Sequence, residues 1–531
     1  MGALTGTRGL VRLILRRDRF LMPIWVIYLG VVPSAFASST ADLYPTVADR
    51  HEYAQVSGNN PAFIALFGPL YDEGVGGIVT QRLGLIPLVV GLLSLLTVIR
   101  HTRTDEEAGR RELLGSAAVS RHAGLAAALI VTIGANLVLA LIMMAGLNKQ
   151  DLPAAGGVAL GLEFAAAGCI FAAVGALAAQ LTTSAGGARA IAIGVLGASL
   201  LLRIAGDSGG ATWLSWLSPI GWVHRIRPYA DERWWVLGIV VVAIAGLVAA
   251  SVALSARRDV GAGVLPPRLG PAEAAGRLRS PLALAWRLHR APLLGWTAGF
   301  AVIGVVLGGV AKGVADMMRD NESLHDVFTR MGGASGFSDA FLSSMMGLFG
   351  LIAAAYAIQA ALRMRAEEDG LRADPVLATS VGRLQWAGGH LLFSLLGPAV
   401  VLTVAGLAAG LTHGINTGDP GHEVPRVLGG ALVQLPAVWV LAGLTIALFG
   451  ILPQFTLASW GALAVFVLLG QIGSAMQLSQ KALDVSPFTH IPKLPGGEVA
   501  VQPLVWLAAI AAVLTVAGLL RFRTRDVKSV A

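Results

Sequence analysis

The sequence predicts an all-α polytopic membrane protein with twelve transmembrane helices. Hydrophobic residues make up 55% of the 531-residue chain, charged residues only 13%, and the mean hydropathy of +0.71 lies well outside the range of soluble domains. Apolar runs of about 18 to 25 residues recur along the whole chain, the length of helix that crosses roughly 30 Å of hydrocarbon. Strands of a membrane barrel would be about half as long and would alternate in polarity, which excludes a barrel.

The first apolar run is predicted to be an uncleaved transmembrane helix. It follows the basic segment Met1–Phe20, lacks a convincing small-residue cleavage pattern, and precedes many further apolar runs. Cys169 is the single cysteine and lies in a predicted span, so disulfides and thiolate metal sites are excluded.

Hydropathy places six spans in each half of the chain. The predicted spans are Pro23–Ser39, Gly84–Ile99, Gly124–Leu147, Gly156–Leu181, Ala190–Ile204 and Trp234–Leu254, then Pro292–Val310, Ser343–Leu362, Trp386–Leu411, Val427–Leu452, Leu457–Ile472 and Pro503–Leu520. About two thirds of the Lys and Arg residues then fall on the side of the N-terminus, which predicts that both termini are cytoplasmic. The net charge of +8 thus reports orientation in a plasma membrane and requires no nucleic-acid partner.

The two halves repeat the same landmarks, which predicts an internal duplication. Each sixth span ends in a basic segment, "SARRDVGAG" in the first half and "RFRTRDVKS" in the second. We therefore predict two six-helix halves of the same topology, residues 1–258 and 281–531, related by a pseudo-two-fold axis along the membrane normal. The Pro- and Gly-rich residues 259–280 are predicted to be a cytoplasmic linker.

The strongest repeat is a charged loop after the second span of each half. We call Arg103–Arg121 the first loop and Arg365–Arg383 the second loop. Sequence alignment pairs Glu106-Glu107 with Glu367-Glu368, Gly109 with Gly370 and, after a one-residue shift, Glu112 with Asp374 and Arg121 with Arg383.

Two interpretations of these loops are open. Their charged side chains could pair with complementary charges on a partner protein, and their apolar side chains could enter a groove on it. Alternatively, both loops are solvated turns whose arginines only fix the topology. The candidate docking residues are Arg103, Glu106, Glu107, Gly109, Arg111, Glu112, Leu113 and Leu114 in the first loop, and Arg365, Glu367, Glu368, Gly370, Arg372, Asp374, Val376 and Leu377 in the second.

An acidic pair and a glycine followed by "RRELL" or "LRADPVLATSVGR" resembles the first cytoplasmic loop of ABC type-2 exporter permeases. The basic amphipathic segment around Leu10, Leu13 and Ile14 is similar to the interfacial helix that precedes the first span in that family. The fused twelve-span form most resembles actinobacterial permeases for tetronasin resistance and multidrug efflux. The resemblance implies export of hydrophobic or amphipathic small molecules, with a coupling helix in each loop that docks on an ATPase subunit. No proline in the first loop matches Pro375, which is a departure between the two copies.

The chain carries no nucleotide-binding motif of its own. No GxxxxGK[ST] sequence occurs, and no lysine directly follows a glycine. If the resemblance holds, ATP and Mg²⁺ are bound by separate ATPase subunits, and two docking loops imply two copies of them.

A secondary transporter driven by an ion gradient is the main alternative, and it would need acids within its spans. Glu163 is the clearest embedded acid, and the repeat places Gln434 near its counterpart position. A substrate path lined by Glu163, Gln434, Asn136 and Gln359 is one interpretation; hydrogen bonds between helices are the other.

A membrane enzyme is a weaker alternative, because the sequence shows no clustered catalytic set and no histidine pattern such as HExxH that predicts a metal site. Two glycine pairs, Gly295 with Gly299 and Gly304 with Gly308, are predicted to allow close helix packing.

Overall fold

The computed structural model describes residues 4–58, 61–115, 119–208, 210–265, 272–273, 276, 278–319, 333–472 and 479–527. All the secondary structure within these residues is helical. The chain divides into two compact units, Met1–Gly270 and Pro271–Ala531. The boundary falls inside the segment that the sequence predicts as a linker.

The first unit contains six long helices, with shorter helices between them. Its helices are α1 (Thr7–Arg17), α2 (Leu21–Leu43), α3 (Val47–Tyr53), α4 (Pro61–Phe67), α5 (Val75–Arg82), α6 (Ile86–Ile99), α7 (Asp105–Glu107), α8 (Arg110–Gly115), α9 (Ala123–Leu147), α10 (Ala154–Leu181), α11 (Ala185–Ser208), α12 (Trp213–Trp216), α13 (Pro219–His224) and α14 (Trp235–Arg257). A π-helical turn, Arg100–Thr104, continues α6 into α7.

The helix α10 is the centre of the first unit because its sequence is apolar on every side and rich in small residues. A Cβ atom on Gly175 would lie 2.9 Å from the carbonyl oxygen of Leu95 on α6. A Cβ atom on Gly168 would lie 1.9 Å from the Oδ1 atom of Asn136 on α9. Only glycine allows the backbones to approach so closely, so the sequence of α10 sets the spacing of its neighbours.

Within the described residues, the second unit has fewer and longer helices. They are α15 (Pro281–Arg319), α16 (Gly333–Asp369), α17 (Ala373–Leu377), α18 (Arg383–Thr417), α19 (Pro420–Leu432), α20 (Leu435–Ile451), α21 (Ala458–Ile472), α22 (Gln480–Leu483) and α23 (Val501–Thr524). Extensive contacts join α15 to α18 and α20 to α23.

The two glycine pairs of α15 differ in their surroundings. Cβ atoms on Gly304 and Gly308 would lie 2.7 Å and 2.2 Å from carbonyl oxygens of α18, so these two glycines allow the close packing that the sequence predicts. Cβ atoms on Gly295 and Gly299 would meet nothing within 4 Å. For that pair the packing prediction is wrong, since a small-residue spacing alone does not identify the face that meets a neighbour.

Eleven helices within the described residues are long and apolar enough to cross a membrane, which supports the predicted polytopic class. They include eleven of the twelve predicted spans. The predicted span Leu457–Ile472 corresponds to α21, of which 15 residues, Ala458–Ile472, lie in the described part of the chain. The count of twelve spans and the cytoplasmic location of the termini stay predictions.

Candidate functional site

The first loop is a folded structure that extends the second span. The π-helical turn leads into α7, and the N–H of Gly109 donates a hydrogen bond of 3.1 Å to the carbonyl of Glu106. Gly109 has a φ of 70°, the left-handed conformation that commonly ends a helix and that glycine adopts without strain. The chain then turns into α8.

A buried carboxylate fixes this loop to the end of the last helix of the unit. Arg258, the residue that caps the C-terminus of α14, donates to Oε1 and Oε2 of Glu106 over 2.9 Å and 3.0 Å. Arg103 donates to Oε2 over 2.8 Å, and the N–H of Gly261 donates to Oε1 over 3.0 Å. We call Arg103, Glu106 and Arg258 the first lock. All three side chains are buried, and a bidentate charged pair with further donors is the arrangement that stabilises buried charge.

The second loop carries a similar bidentate ion pair. Arg525 caps the C-terminus of α23 and donates to both carboxylate oxygens of Glu368, over 2.7 Å and 2.6 Å. Arg365 lies 3.9 Å from Oε2 of the same carboxylate and forms a shorter ion pair of 2.8 Å with Asp369. We call Arg365, Glu368 and Arg525 the second lock. The guanidinium of Arg525 also lies 4.9 Å from the ring centroid of Phe449.

The locks correct the correspondence between the two loops. The bond from the Gly109 N–H to the Glu106 carbonyl has its equivalent in the bond from Leu371 to Glu368. Leu371 has a φ of 55°, so it takes the left-handed position of Gly109. Glu106 therefore corresponds to Glu368, and the alignments of Glu106 with Glu367 and of Gly109 with Gly370 are each one residue early. The sequence alignment pairs Gly109 with Gly370 because both are glycines, although Gly370 precedes the left-handed residue Leu371 by one position.

Two further acids of the first loop also bind residues of their own unit. Asp105 accepts hydrogen bonds from Arg17 and Arg110. Glu107 is exposed, but its Oε2 accepts from the N–H of Ala185 over 2.8 Å at the first residue of α11. A carboxylate at this position stabilises the N-terminus of the helix.

Glu367 is buried and pairs with Arg363 over 2.8 Å and with Arg372 over 3.0 Å. Most of the acidic side chains of both loops therefore bind residues of their own unit.

Several candidate docking residues nevertheless face outward. Glu112, Gly370 and Arg372 are exposed, and Arg111 and Asp374 are partly exposed. The side chains of Val376 and Leu377 pack partly against an apolar cluster of their own unit around Trp386, so neither is a free apolar anchor. The side chains of Leu113 and Leu114 lie outside the described residues.

Asn136 of α9 is hydrogen-bonded to α6. It is fully buried, and its amide nitrogen donates to Ser94 Oγ over 3.0 Å and to the Thr132 carbonyl over 2.9 Å. These bonds favour the interhelical hydrogen-bond interpretation for this residue. Gln359 is exposed and accepts a hydrogen bond of 2.7 Å from the indole of Trp296, which joins α16 to α15.

Glu163 is buried in α10 and faces His224. Its Oε1 lies 3.9 Å from Nε2 of His224, and within the described part of the chain neither Oε2 of Glu163 nor Nε2 of His224 has a hydrogen-bond partner. Burial, reinforced by the nearby guanidinium of Arg203, lowers the pKa of His224 to about 3, so its imidazole is neutral at physiological pH. Glu163 and His224 therefore form a buried polar pair with side-chain atoms to which no described residue makes a hydrogen bond.

Gln434 lies at the N-terminal end of α20 and borders a cavity of about 740 Å³ in the second unit. Asp339, Ser343 and Lys493 line the same cavity. The structure therefore places Gln434 beside open space and Glu163 in a closed, polar contact. A substrate path that includes both stays a prediction.

Sequence reasoning missed the two arginines that complete the locks. Their carboxylate partners are far away in sequence, and no local pattern predicts such a contact. A usable signal exists in the basic segments after the last span of each half: both contain an Arg-Asp dipeptide, Arg258-Asp259 and Arg525-Asp526. Among the described residues, no group of three His, Cys, Asp or Glu side chains could hold a metal ion.

Apolar helices of membrane-spanning length, with charged loops folded against their ends, define a multi-pass membrane protein. Residues 8–254 and 278–523 match the family model described as the multidrug efflux system permease Rv1217c, C-terminal domain. The chain is also 44% identical over 525 residues to the multidrug efflux system permease protein Rv1217c of Mycobacterium tuberculosis (strain H37Rv), covering 99% of this chain and 96% of the relative. The chain belongs to this family of efflux permeases, and its place is the bacterial plasma membrane.

Proposed function

We propose that the chain is the transmembrane subunit of an ATP-driven ABC exporter of hydrophobic or amphipathic small molecules. The observation that carries this proposal is the pair of folded, locked loops, one in each unit. A solvated turn that only fixes topology would not need a buried bidentate ion pair to hold its shape. The printed name of the M. tuberculosis relative, a multidrug efflux permease, supports drugs or antibiotics as the substrate class.

The locks explain how a partner could move the helices. Glu106 and Arg258 join the first loop to the end of α14, and the Glu107 bond to Ala185 joins it to the start of α11. In the second unit, Glu368 joins α16 to the end of α23, and Arg383 donates to the carbonyl of Arg525 at that end. A displacement of either loop is therefore transmitted to several spans of its unit at once.

The energy source is proposed to be a pair of separate ATPase subunits. The sequence has no phosphate-binding loop, so ATP and Mg²⁺ belong to the partner chains. Two equivalent locks, and a family match over two stretches of the chain, support a fused pair of halves with one ATPase subunit on each loop. The expected assembly is one permease chain with two ATPase chains.

Charge reversal at exposed loop acids tests this proposal. Glu112 and Asp374 occupy corresponding positions, neither belongs to a lock, and no side-chain hydrogen bond holds either one among the described residues. We expect Glu112→Lys or Asp374→Lys to reduce the co-purified ATPase from two chains per permease to one, and the double variant to abolish co-purification, because repulsive contacts disrupt docking. Glu498→Lys is the control, since this exposed acid precedes α23 at the end opposite Arg525.

Full ATPase retention by the double variant, or any other subunit ratio in the wild-type complex, would contradict the docking proposal. Intact mass measurement of the purified complex gives the ratio directly, and drug-stimulated ATP turnover of the same samples reports coupling.

A gradient-driven exporter is the second candidate, and the buried pair of Glu163 and His224 is the observation that favours it. An embedded carboxyl group of this kind could bind and release a proton during transport. Proteoliposomes that contain only this chain distinguish the two candidates. Drug movement that follows an imposed proton gradient without ATPase or ATP, and that is lost in Glu163→Gln, would establish the second candidate.

A further inference from the structure

The first unit contains a cavity of about 440 Å³ beside the first lock, within the size range of ligand pockets. Leu10, Leu13 and Ile14 of α1 form an apolar wall, together with Val119 and Val260. Four arginines line the cavity, Arg17, Arg111, Arg121 and Arg258, as do the acids Asp105, Glu106 and Asp259. The lining therefore combines an apolar side with an excess of cations over acids.

Among the described residues, Arg111 is the arginine of this lining that donates no hydrogen bond. Its guanidinium lies against α9, where a Cβ atom on Gly124 would be 1.9 Å from a terminal nitrogen of Arg111. No described residue accepts a hydrogen bond from it. The two nearest carboxylates are already bound: Asp105 by Arg17 and Arg110, and Glu106 by the first lock. Burial lowers the pKa of Arg111, the direction expected for a cation that is partly removed from water.

The second unit fills the equivalent space with aromatic side chains. Counting from the lock residues, Ala373 stands at the position of Arg111, Trp386 at that of Gly124, and Phe522 at that of Ser255. Trp386 and Phe522 are buried, with ring centroids 5.7 Å apart, in a cluster that includes Ala373. The first unit therefore has a cavity where the second unit has an apolar core. The reason is that Arg111, Gly124 and Ser255 stand at the positions of Ala373, Trp386 and Phe522.

The position of the cavity indicates a ligand from the membrane. The helix α1 is amphipathic, runs directly into the first span, and exposes Leu13 and Leu15 by 47% and 49%. Such a helix lies in the membrane interface with its apolar face among the lipids. Basic pockets at the ends of transmembrane helices bind phosphate-bearing lipid headgroups. An acidic peptide of a partner protein would pair with the arginines but would gain little from the leucines.

We propose that this cavity binds the phosphate of an anionic phospholipid, with Arg111 as the principal donor and the leucines of α1 against the acyl chains. Arg121 lies on the same lining and donates to the carbonyl of Arg258, which positions it as a second donor. The ligand would then connect α1 to the first loop, because its headgroup contacts Arg111 of the first loop and its acyl chains contact the leucines of α1.

Lipid binding by the purified full-length chain, without ATPase, tests this inference. Native mass spectrometry after titration with phosphatidylglycerol should show one lipid that Arg111→Gln binds roughly tenfold more weakly, the loss expected for one hydrogen bond to a charged group. Arg110→Gln is the matched control, because Arg110 is the neighbouring arginine and its side chain is 54% exposed. It should bind like the wild type.

A second variant removes the cavity with groups that the fold already accommodates in the other unit. Arg111→Ala combined with Gly124→Trp reproduces the pair Ala373 and Trp386, and should abolish this lipid site while the chain stays monodisperse in detergent. Equal loss in Arg110→Gln, or unchanged binding in both cavity variants, would overturn the inference. Phosphatidylethanolamine bound as tightly as phosphatidylglycerol would overturn the anionic preference, and inorganic phosphate bound as tightly would overturn the lipid as the source.

Discussion

At the scale of single residues, the locks place a full carboxylate charge away from water at the end of a transmembrane helix. Such a charge is costly unless nearly every lone pair is used, and the donors to Glu106 come from two guanidinium groups and a backbone N–H. Removing one partner leaves the other charge buried without compensation. The locks should therefore be sensitive to single substitutions.

Replacement of Arg258 tests the first lock. We expect Arg258→Ala to destabilise the protein by about 3 kcal/mol, the usual result of breaking a buried ion pair from one side. Arg257 is the control, because it is adjacent and exposed, and Arg257→Ala should change stability little. Thermal unfolding in detergent compares the variants, and equal melting temperatures for the two would contradict a structural role for the lock. Arg525 and the exposed Arg523 provide the same comparison in the second unit.

The charged loops show which contacts can be predicted from sequence and which cannot. The acids, the arginines and their repetition are visible in the chain, and they single out the two loops whose carboxylates form the locks. Alignment by sequence pairs Gly109 with Gly370 because both are glycines. In the structure, Leu371 has the left-handed conformation that corresponds to Gly109. The partners Arg258 and Arg525 could not be inferred, since only the folded helix ends bring them to the carboxylates.

At the scale of helices, glycines determine which faces of neighbouring helices touch. The helix α15 contains two pairs with identical spacing, and only Gly304 and Gly308 meet α18. Hydropathy predicts the existence of α15 well, because apolar composition over this length requires burial in lipid. It does not predict the contacting face, because lipid-facing and helix-facing surfaces are both apolar.

Matched leucine substitutions along α15 test this assignment. Gly308→Leu should destabilise the second unit by about 1 to 3 kcal/mol, because the added side chain overlaps the backbone of α18. Gly295→Leu should be tolerated, since that position is exposed and a Cβ atom there meets nothing within 4 Å. Thermal melting of the purified variants measures both. A larger loss at position 295 than at 308 would show that the packing face is misassigned.

At the scale of the whole molecule, each unit contains all three residues of its own lock. Glu106 and Arg258 lie within Met1–Gly270, and Glu368 and Arg525 within Pro271–Ala531. The two units should therefore fold when they are produced as separate polypeptides. We expect coexpressed fragments 1–270 and 271–531 to insert into the membrane, each with a cooperative melting transition.

The same fragments show whether the locks act independently. Arg258→Ala should lower the melting temperature of fragment 1–270 alone, and Arg525→Ala that of fragment 271–531 alone. A melting change in the unsubstituted fragment, or failure of either fragment to enter the membrane without a continuous chain, would contradict this independence.

The aromatic filling found around Trp386, but not around Gly124, has a consequence for pharmacology. A small molecule shaped for the cavity near Arg111 would encounter only one receptor per polypeptide, since tryptophan and phenylalanine rings exclude it from the equivalent place. Its dose response should therefore saturate at equimolar compound, and bacteria could escape it by exchanging a single glycine.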